Sequence, residues 1–239
     1  MKIELMNAAR HIARNAVASA ILCVPLMASA VVTDSVPATL AVTDSTTLIY
    51  DTFKGKSRVG GATVVIRRDD SSYEISGQAW TEGIAKLFSD WESDFVAAGK
   101  IESGRPVLKQ YSLIQRMRNK IRKIFFRDGQ TQFVKESGSR IIDNPPSSSD
   151  FITALFLTQD CRSHDEVHNG KDAFRIELTD IRNVESNGAT ETQCTFEVTD
   201  EDNDRTTATI RLGDFDGIVI PVHMDFTGAL VATFKLTSS

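Results

Sequence analysis

An excess of positive charge is missing from this 239-residue chain, in which 27 Lys and Arg face 32 Asp and Glu for a formal charge of −5. Whole-molecule steering toward nucleic acid or an anionic membrane is thereby disfavoured, which leaves only a local basic stripe for such a purpose. Cysteine is scarce, with three residues, and so is histidine, with four. Long apolar runs are absent too: the longest, about 15 residues starting at Ala16, falls short of the roughly 20 that a membrane-spanning helix needs. No G-x-S-x-G, H-E-x-x-H or G-x-G-x-x-G occurs, so the usual signatures of serine hydrolases, zinc proteases and dinucleotide enzymes are lacking. Gly55-Lys56-Ser57 matches the tail of a phosphate loop, but Tyr50 stands where its upstream glycine belongs. What is present, 41% hydrophobic and 25% charged residues, describes a folded globular chain and not a disordered one.

Lys2, Arg10 and Arg14 precede the apolar run from Ala16 to Met27, which closes on Ala28-Ser29-Ala30. A basic start, a short apolar middle and an A-x-A end predict a secretory signal peptide over residues 1–30, cleaved near Ala30. Cys23 does not make this a lipoprotein leader, because Leu22 occupies the position before it where a small residue is needed. The expected destination is the periplasm or the exterior, beside a membrane without spanning it. Loss of residues 1–30 removes three bases and one acid, leaving 24 bases against 31 acids. Only Cys161 and Cys194 then remain, and in an oxidising space they are expected to form a disulfide. Closing that loop would stabilise the fold by roughly 3–4 kcal/mol in the chain-entropy model.

Residues 31–46 are Thr, Ser, Val and Ala without periodicity and read as a flexible lead; residues 47–239 read as a single β-rich domain. Ala62, Val64 and Ile66 alternate with Thr63, Val65 and Arg67, and Tyr73, Ile75, Gly77 and Ala79 alternate with polar neighbours. Trp91 and Phe95 face away from Asp90, Glu92 and Asp94. Val107, Tyr111, Leu113, Met117, Ile121 and Phe125 share one parity, which predicts one long strand from Pro106 to Arg127. Five further alternating segments follow Cys161, centred on Ile176, Phe196, Ile210, Val222 and Phe234. Two short helices interrupt the strands, at Glu82–Ser89 and at Asp150–Gln159, the second with Phe151/Leu155 and Ile152/Phe156 as i,i+4 pairs. Asn144-Pro145-Pro146 and the serines after them are punctuation between two halves, neither of which is self-sufficient. The expected fold is mainly β, one curled antiparallel sheet of roughly ten strands, a barrel or half-barrel, because a flat sheet of that size would leave a large apolar face wet.

Three groups of residues carry candidate chemistry. Cys161, His164 and His168 have the spacing of a zinc site, but pairing of Cys161 with Cys194 withdraws the thiolate it would need, so no metal is expected. Arg116, Arg118, Lys120 and Arg122 form a basic ladder able to meet anionic groups, set against an ion-paired reading with the acidic strand Asp90–Asp94. Stacking aromatics are missing from that parity, so no nucleic-acid partner is expected. His223, beside Asp225 on the outer parity of its strand, reads as a surface histidine.

The order Tyr50-Asp51, Gly60-Gly61 opening a strand, Tyr73, Thr81-Glu82-Gly83-Ile84 to Phe88, the Asp90–Phe95 strand, Gly99-Lys100-Ile101, Pro106, Tyr111 and an arginine-bearing strand resembles the bacterial exported family called domain of unknown function 3108. The later helix at Asp150, Cys194 and the Ile220-Pro221-Val222 strand followed by Gly228 fit as well. The resemblance implies a β-rich envelope protein and carries over no catalytic residue and no cofactor. The expected function is non-enzymatic binding of a lipid-like ligand or an envelope partner on a concave apolar surface. Two alternatives stand beside it: an envelope hydrolase or sugar-modifying enzyme using Asp90–Asp94 carboxylates or His168, and a structural or assembly module acting through an edge strand or the basic ladder.

Overall fold

The computed structural model describes residues 44–238 apart from 119, 128, 143–148, 158–160, 171, 187, 216–217 and 229–230. The expected leader, most of the lead, and the segment from Asn144 to Ser148 therefore lie outside the described residues.

A first meander comprises β1 (Asp44–Lys54), β2 (Ser57–Arg68), β3 (Ser72–Thr81), β4 (Trp91–Glu102), β5 (Arg105–Met117), β6 (Lys120–Arg127), β7 (Gln130–Lys135) and β8 (Gly138–Ile142). A second comprises β9 (Ser149–Asp150), β10 (His164–His168), β11 (Ala173–Ser186), β12 (Ala189–Asp200), β13 (Arg205–Phe215), β14 (Ile218–Gly228) and β15 (Ala232–Ser238). Helix α1 (Gly83–Phe88) lies between β3 and β4, and α2 (Phe151–Phe156) between β9 and β10. All strands belong to one sheet in the order β8-β7-β6-β5-β4-β3-β2-β1-β15-β14-β13-β12-β11-β10-β9. Neighbours are antiparallel except β9 and β10, whose two-residue contact is parallel. The meanders join where β1 pairs with β15, Tyr50 opposite Leu236 and Phe53 opposite Thr233.

Chain length alone requires this sheet to curl. Flat, its fifteen strands would span about 67 Å at the usual inter-strand spacing. Yet Ile142 of one edge and Ser149 of the other are seven peptide steps apart in sequence, a reach of at most about 25 Å. The edges approach each other through side chains: the Tyr111 ring of β5 lies 6.1 Å from His168 of β10. Gly170 packs so closely there that a Cβ would stand 2.6 Å from Ile124 Cγ2 and 2.9 Å from Tyr111 Cε1, and its φ of 90° also favours glycine.

Alternate residues of both meanders fill the concave side. Leu48, Tyr50, Val64, Ile66, Tyr73 and Ile75 from the first meander share one buried cluster with Cys194, Phe196, Ile210, Ile220, Met224 and Phe226 from the second. Tyr50 reaches past β15 and donates from its hydroxyl to the Pro221 carbonyl at 2.7 Å, so a buried hydrogen bond ties β1 to β14. A smaller cluster, Ala97, Tyr111, Ile124, Phe126 and Phe133, lines β4–β7.

The mainly β, curled sheet with two short helices agrees with the sequence reading, and fifteen strands replace the roughly ten expected. The expected single strand from Pro106 to Arg127 is two. Met117 pairs with Lys120 across a tight hairpin in which Arg118 has φ 45°, and the following residue in sequence is Asn, a type suited to such turns. That hairpin inverts the parity downstream: Ile124 and Phe126 are buried, while Ile121 is 44% exposed. Strand β1 also starts at Asp44, inside the segment expected to be a lead. Gly213, expected in a connector, lies within β13 opposite Ile220.

Candidate functional site

Helix α2 builds an apolar recess by directing its two apolar stripes to different places. Asp150 caps it, the side-chain Oδ1 accepting from the Thr153 N–H at 2.9 Å, one of the orphan donors of a helix start. Phe156 turns into the core against Tyr50, ring centroids 6.2 Å apart, and Ile152 packs on both buried clusters. Phe151, Ala154 and Leu155 face the other way and roof a recess whose floor is Phe196, Val198, Ala208, Ile210 and Phe226 of β12–β14. Cys161, Arg162 and His164 form its lip. Burial and the neighbouring Arg162 cation both lower the His164 pKa, so the lip carries a neutral imidazole beside a guanidinium at neutral pH. The cavity amounts to about 40 Å³. It admits a few waters or the end of an apolar group, well below the ~150 Å³ in which a benzene ring is held.

Cys161 is held to the middle of β12 through Cys194, which lies at disulfide distance with the Cα atoms 5.8 Å apart. This joins the lip of the recess to its floor. The expected pairing of these two residues therefore has the right geometry. The alternative metal set does not assemble: Cys161 faces Cys194, His168 is sealed at 1% exposure, and among the described residues no group of three His, Cys, Asp or Glu side chains converges.

Behind α2 lies a buried polar bolt. Thr153 Oγ1 donates to the Tyr73 hydroxyl at 3.3 Å, and His168 Nδ1 accepts from the Gly170 N–H at 3.0 Å. Asp150 is fully buried, and its Oδ2 has no hydrogen-bond partner among the described residues. Burial pushes the Asp150 carboxyl upward, against the lowering effect of its Thr153 bonds, and pushes the Tyr73 and Tyr111 hydroxyls upward as well. Each shift favours the neutral form. Because these groups are sealed from solvent, they hold the sheet edges together and offer no substrate a reachable acid or base.

The basic ladder is broken by the β5–β6 hairpin, which corrects the single-parity expectation. Arg116 lies on the outer parity and pairs with Asp94. Arg118 sits in the turn and donates through Nη2 to the Leu87 carbonyl at 2.5 Å, so it touches α1. Lys120 and Arg122 share the parity of buried Ile124 and Phe126 and so stand on the concave side near the rim, Arg122 directly opposite Lys135 of β7. The acidic strand is spread along the surface: Asp94 pairs with Arg116, Asp90 lies 3.4 Å from Lys86, and Glu92 is exposed. These carboxylates do not converge in one cleft, so the hydrolase alternative lacks its paired carboxylates there.

Sequence reading missed a polar depression of about 370 Å³ on the other face of β11–β14. Register aligns Arg182, Gln193, Arg211 and His223 side by side across four strands. The Gln193 amide oxygen, turned toward Arg182, accepts from Nε at 2.9 Å and Nη2 at 2.6 Å. Arg211 Nη1 lies 3.1 Å from Glu191 Oε2, which neutralises it. His223 is half-buried, and burial followed by the Arg211 and Lys235 cations lowers its pKa. Only His223 had been singled out, because the alignment of four distant segments is set by strand pairing and leaves no local mark.

No family model matches the chain, and no curated protein matches it. Among solved structures, the chain is similar to the beta-barrel-like protein of domain of unknown function DUF1849 from Brucella abortus, with 12% identity and a TM-score of 0.49 over 80% of this chain and 95% of that one. No helix among the described residues is long and apolar enough to cross a membrane.

Proposed function

We propose that this is an exported envelope protein that works by binding and not by chemistry, and that the recess beneath α2 receives the end of one apolar chain of a lipid-like ligand. The recess carries this reading: apolar walls from α2 and β12–β14 end at a lip where His164 presents a neutral imidazole. Apolar walls with a few placed polar groups are the usual make-up of a small-molecule site. At about 40 Å³ the recess takes a chain end and leaves the rest of the ligand outside. The same volume accepts one apolar side chain of an envelope protein partner, which is the second reading. Export is supported by the A-x-A leader signature at Ala28–Ala30 and by the Cys161–Cys194 pair. The resemblance to the exported family of domain of unknown function 3108 belongs to this proposal on the residues quoted for it, of which Tyr50, Tyr73 and Tyr111 are buried core positions.

Octanoate, a single apolar chain with a carboxylate, is the test ligand. Saturable NMR shifts confined to methyls of Leu155, Ala208 and Ile210 are expected, weakened at least about tenfold by Ala154→Leu, which fills the roof. Shifts that are absent, or unaffected by Ala154→Leu, overturn the reading.

A further inference from the structure

In an eight-strand meander the β1–β2, β3–β4, β5–β6 and β7–β8 connections all emerge at one end. Register confirms this: Gly60 lies opposite Thr81, Trp91 opposite Met117, and Arg122 opposite Lys135. This rim combines two features that water alone does not favour. Helix α1 exposes Ile84 and Leu87, one turn apart, at 76% and 71%. The rim around them collects Lys54, Lys56, Arg118, Lys120, Arg122, Lys123 and Lys135, none with an ion pair among the described residues. Arg122 and Lys135 stand directly opposite each other, a like-charge pair that costs stability unless an anion lies between them. The carboxylates on the first-meander side of this end are mostly engaged: Asp51 and Glu82 hold Arg58, Asp90 holds Lys86, and Asp94 holds Arg116, which leaves Glu92 and Glu136; the acidic β12–β13 turn emerges at the same end on the second meander, separated along the sheet from β1 by β15 and β14. The Arg118 bond to the Leu87 carbonyl fixes the basic turn beside the apolar helix, so the two features act as one surface.

We propose that this rim docks on an anionic phospholipid bilayer, with Ile84 and Leu87 entering the interface and the surrounding cations meeting the head groups. The paired signals are those by which a peripheral protein holds a membrane: a small apolar insertion, weak alone, and a polybasic patch. Charge complementarity selects the occupant. Exposed apolar side chains one helical turn apart suit a lipid interface, and seven cations without an ion pair among the described residues suit an acidic one. The inference concerns residues of the first meander, none of which lines the recess, and does not rest on it.

The test is vesicle flotation of the full-sequence protein in the mature form its host produces. Vesicles are either phosphatidylglycerol mixed with phosphatidylethanolamine, or phosphatidylcholine alone. Binding is expected to the acidic vesicles only and to disappear in high salt. Ile84→Ser with Leu87→Ser should weaken it at least about tenfold, and Lys120→Gln with Arg122→Gln by roughly twenty-fivefold, about fivefold per charge. Lys100→Gln, on the opposite end of β4, should leave it unchanged. All four substituted rim positions are solvent-accessible, and an unchanged melting midpoint separates lost docking from lost folding. Equal binding to phosphatidylcholine, indifference to the Ile84/Leu87 change, or binding to polygalacturonate without binding to acidic vesicles overturns the proposal.

Discussion

Asp150 carries two opposed duties, and substituting it separates them. Its Oδ1 caps α2 through the Thr153 N–H, while its Oδ2 is buried without a partner among the described residues. Replacing it with alanine removes the cap, at a cost of about 1 kcal/mol. Asparagine retains an amide oxygen for the cap and cannot ionise. Burial raises the carboxyl above its ordinary value of 3.8, so the native state keeps its proton where the unfolded chain has released it. The wild type's stability from this group is therefore complete below that ordinary value and declines as pH rises through the folded-state value. Every tenfold loss of acidity on folding corresponds to about 1.4 kcal/mol. Asp150→Asn lacks this decline. Its stability relative to the wild type should consequently rise with pH, while Asp150→Ala should run parallel to asparagine and about 1 kcal/mol lower. Urea unfolding at a series of pH values between 4 and 8 measures this directly, and the histidine titrations common to all three proteins cancel in the differences. Parallel wild-type and asparagine curves would show that the carboxyl is not held neutral, and equal alanine and asparagine curves would show that the cap contributes nothing.

Removing the sulfur pair with Cys161→Ala and Cys194→Ala should cost roughly 3–4 kcal/mol for a 33-residue separation, seen as a lower urea midpoint that reductant reproduces in the wild type. A wild-type midpoint insensitive to reductant contradicts it. Tyr50→Phe deletes the hydroxyl that meets the Pro221 carbonyl and leaves that buried acceptor unpaired, a loss of about 1–3 kcal/mol by chemical denaturation. A change below a few tenths would mean that the β1–β14 tie is dispensable. Burial and two cations depress His223, so its contribution is present above the ordinary value of 6.5 and lost as pH falls through the folded-state value. His223→Gln should flatten the melting-temperature profile on the acid side of neutrality, and an unchanged profile would place the titration elsewhere.

Period-two patterning revealed the strands where only one parity is apolar. From Ala173 onward, Phe196, Ile210 and Phe226 lie on the buried parity that the sequence indicates. It failed at β6, KIRKIFFR, which has Ile121 and Phe125 on one parity and Ile124 and Phe126 on the other. With apolar residues on both faces, alternation cannot choose between them, and a two-residue hairpin was enough to reverse the side that is buried. Arg116 and Arg122 consequently fall on opposite faces although their sequence positions share a parity. The helices were legible because Asp150 and the i,i+4 pairs are local. The pairing of Cys161 with Cys194 was legible by elimination, since no other cysteine follows residue 30. Neither the polar row on β11–β14 nor the approach of His168 to Tyr111 has a local signal, because both depend on which strands become neighbours.

The curl also determines where a partner can be met. Bringing β9 and β10 toward β5 places Asp150, Thr153, His168 and Gly170 against Tyr73 and Tyr111, so the space between the two meanders is occupied by the groups that hold them together. An enclosed ligand would have to displace that bolt, which leaves the small recess at the lip and the rims. Charge then discriminates between the two sides of one rim. The chain as a whole is acidic, and the β12–β13 turn concentrates Asp200, Glu201, Asp202 and Asp204. At physiological salt, charge is felt over only about 8 Å, so an anionic surface senses the face presented to it and not the molecule's net charge. Register places the β12–β13 turn at the same end of the sheet as α1 and the β5–β6 hairpin, so an anionic surface attracts the first-meander side of that end and repels the second-meander side. A protein of this charge can therefore meet an acidic membrane without being steered to it from afar, and in an orientation set by which turns come within a few ångströms.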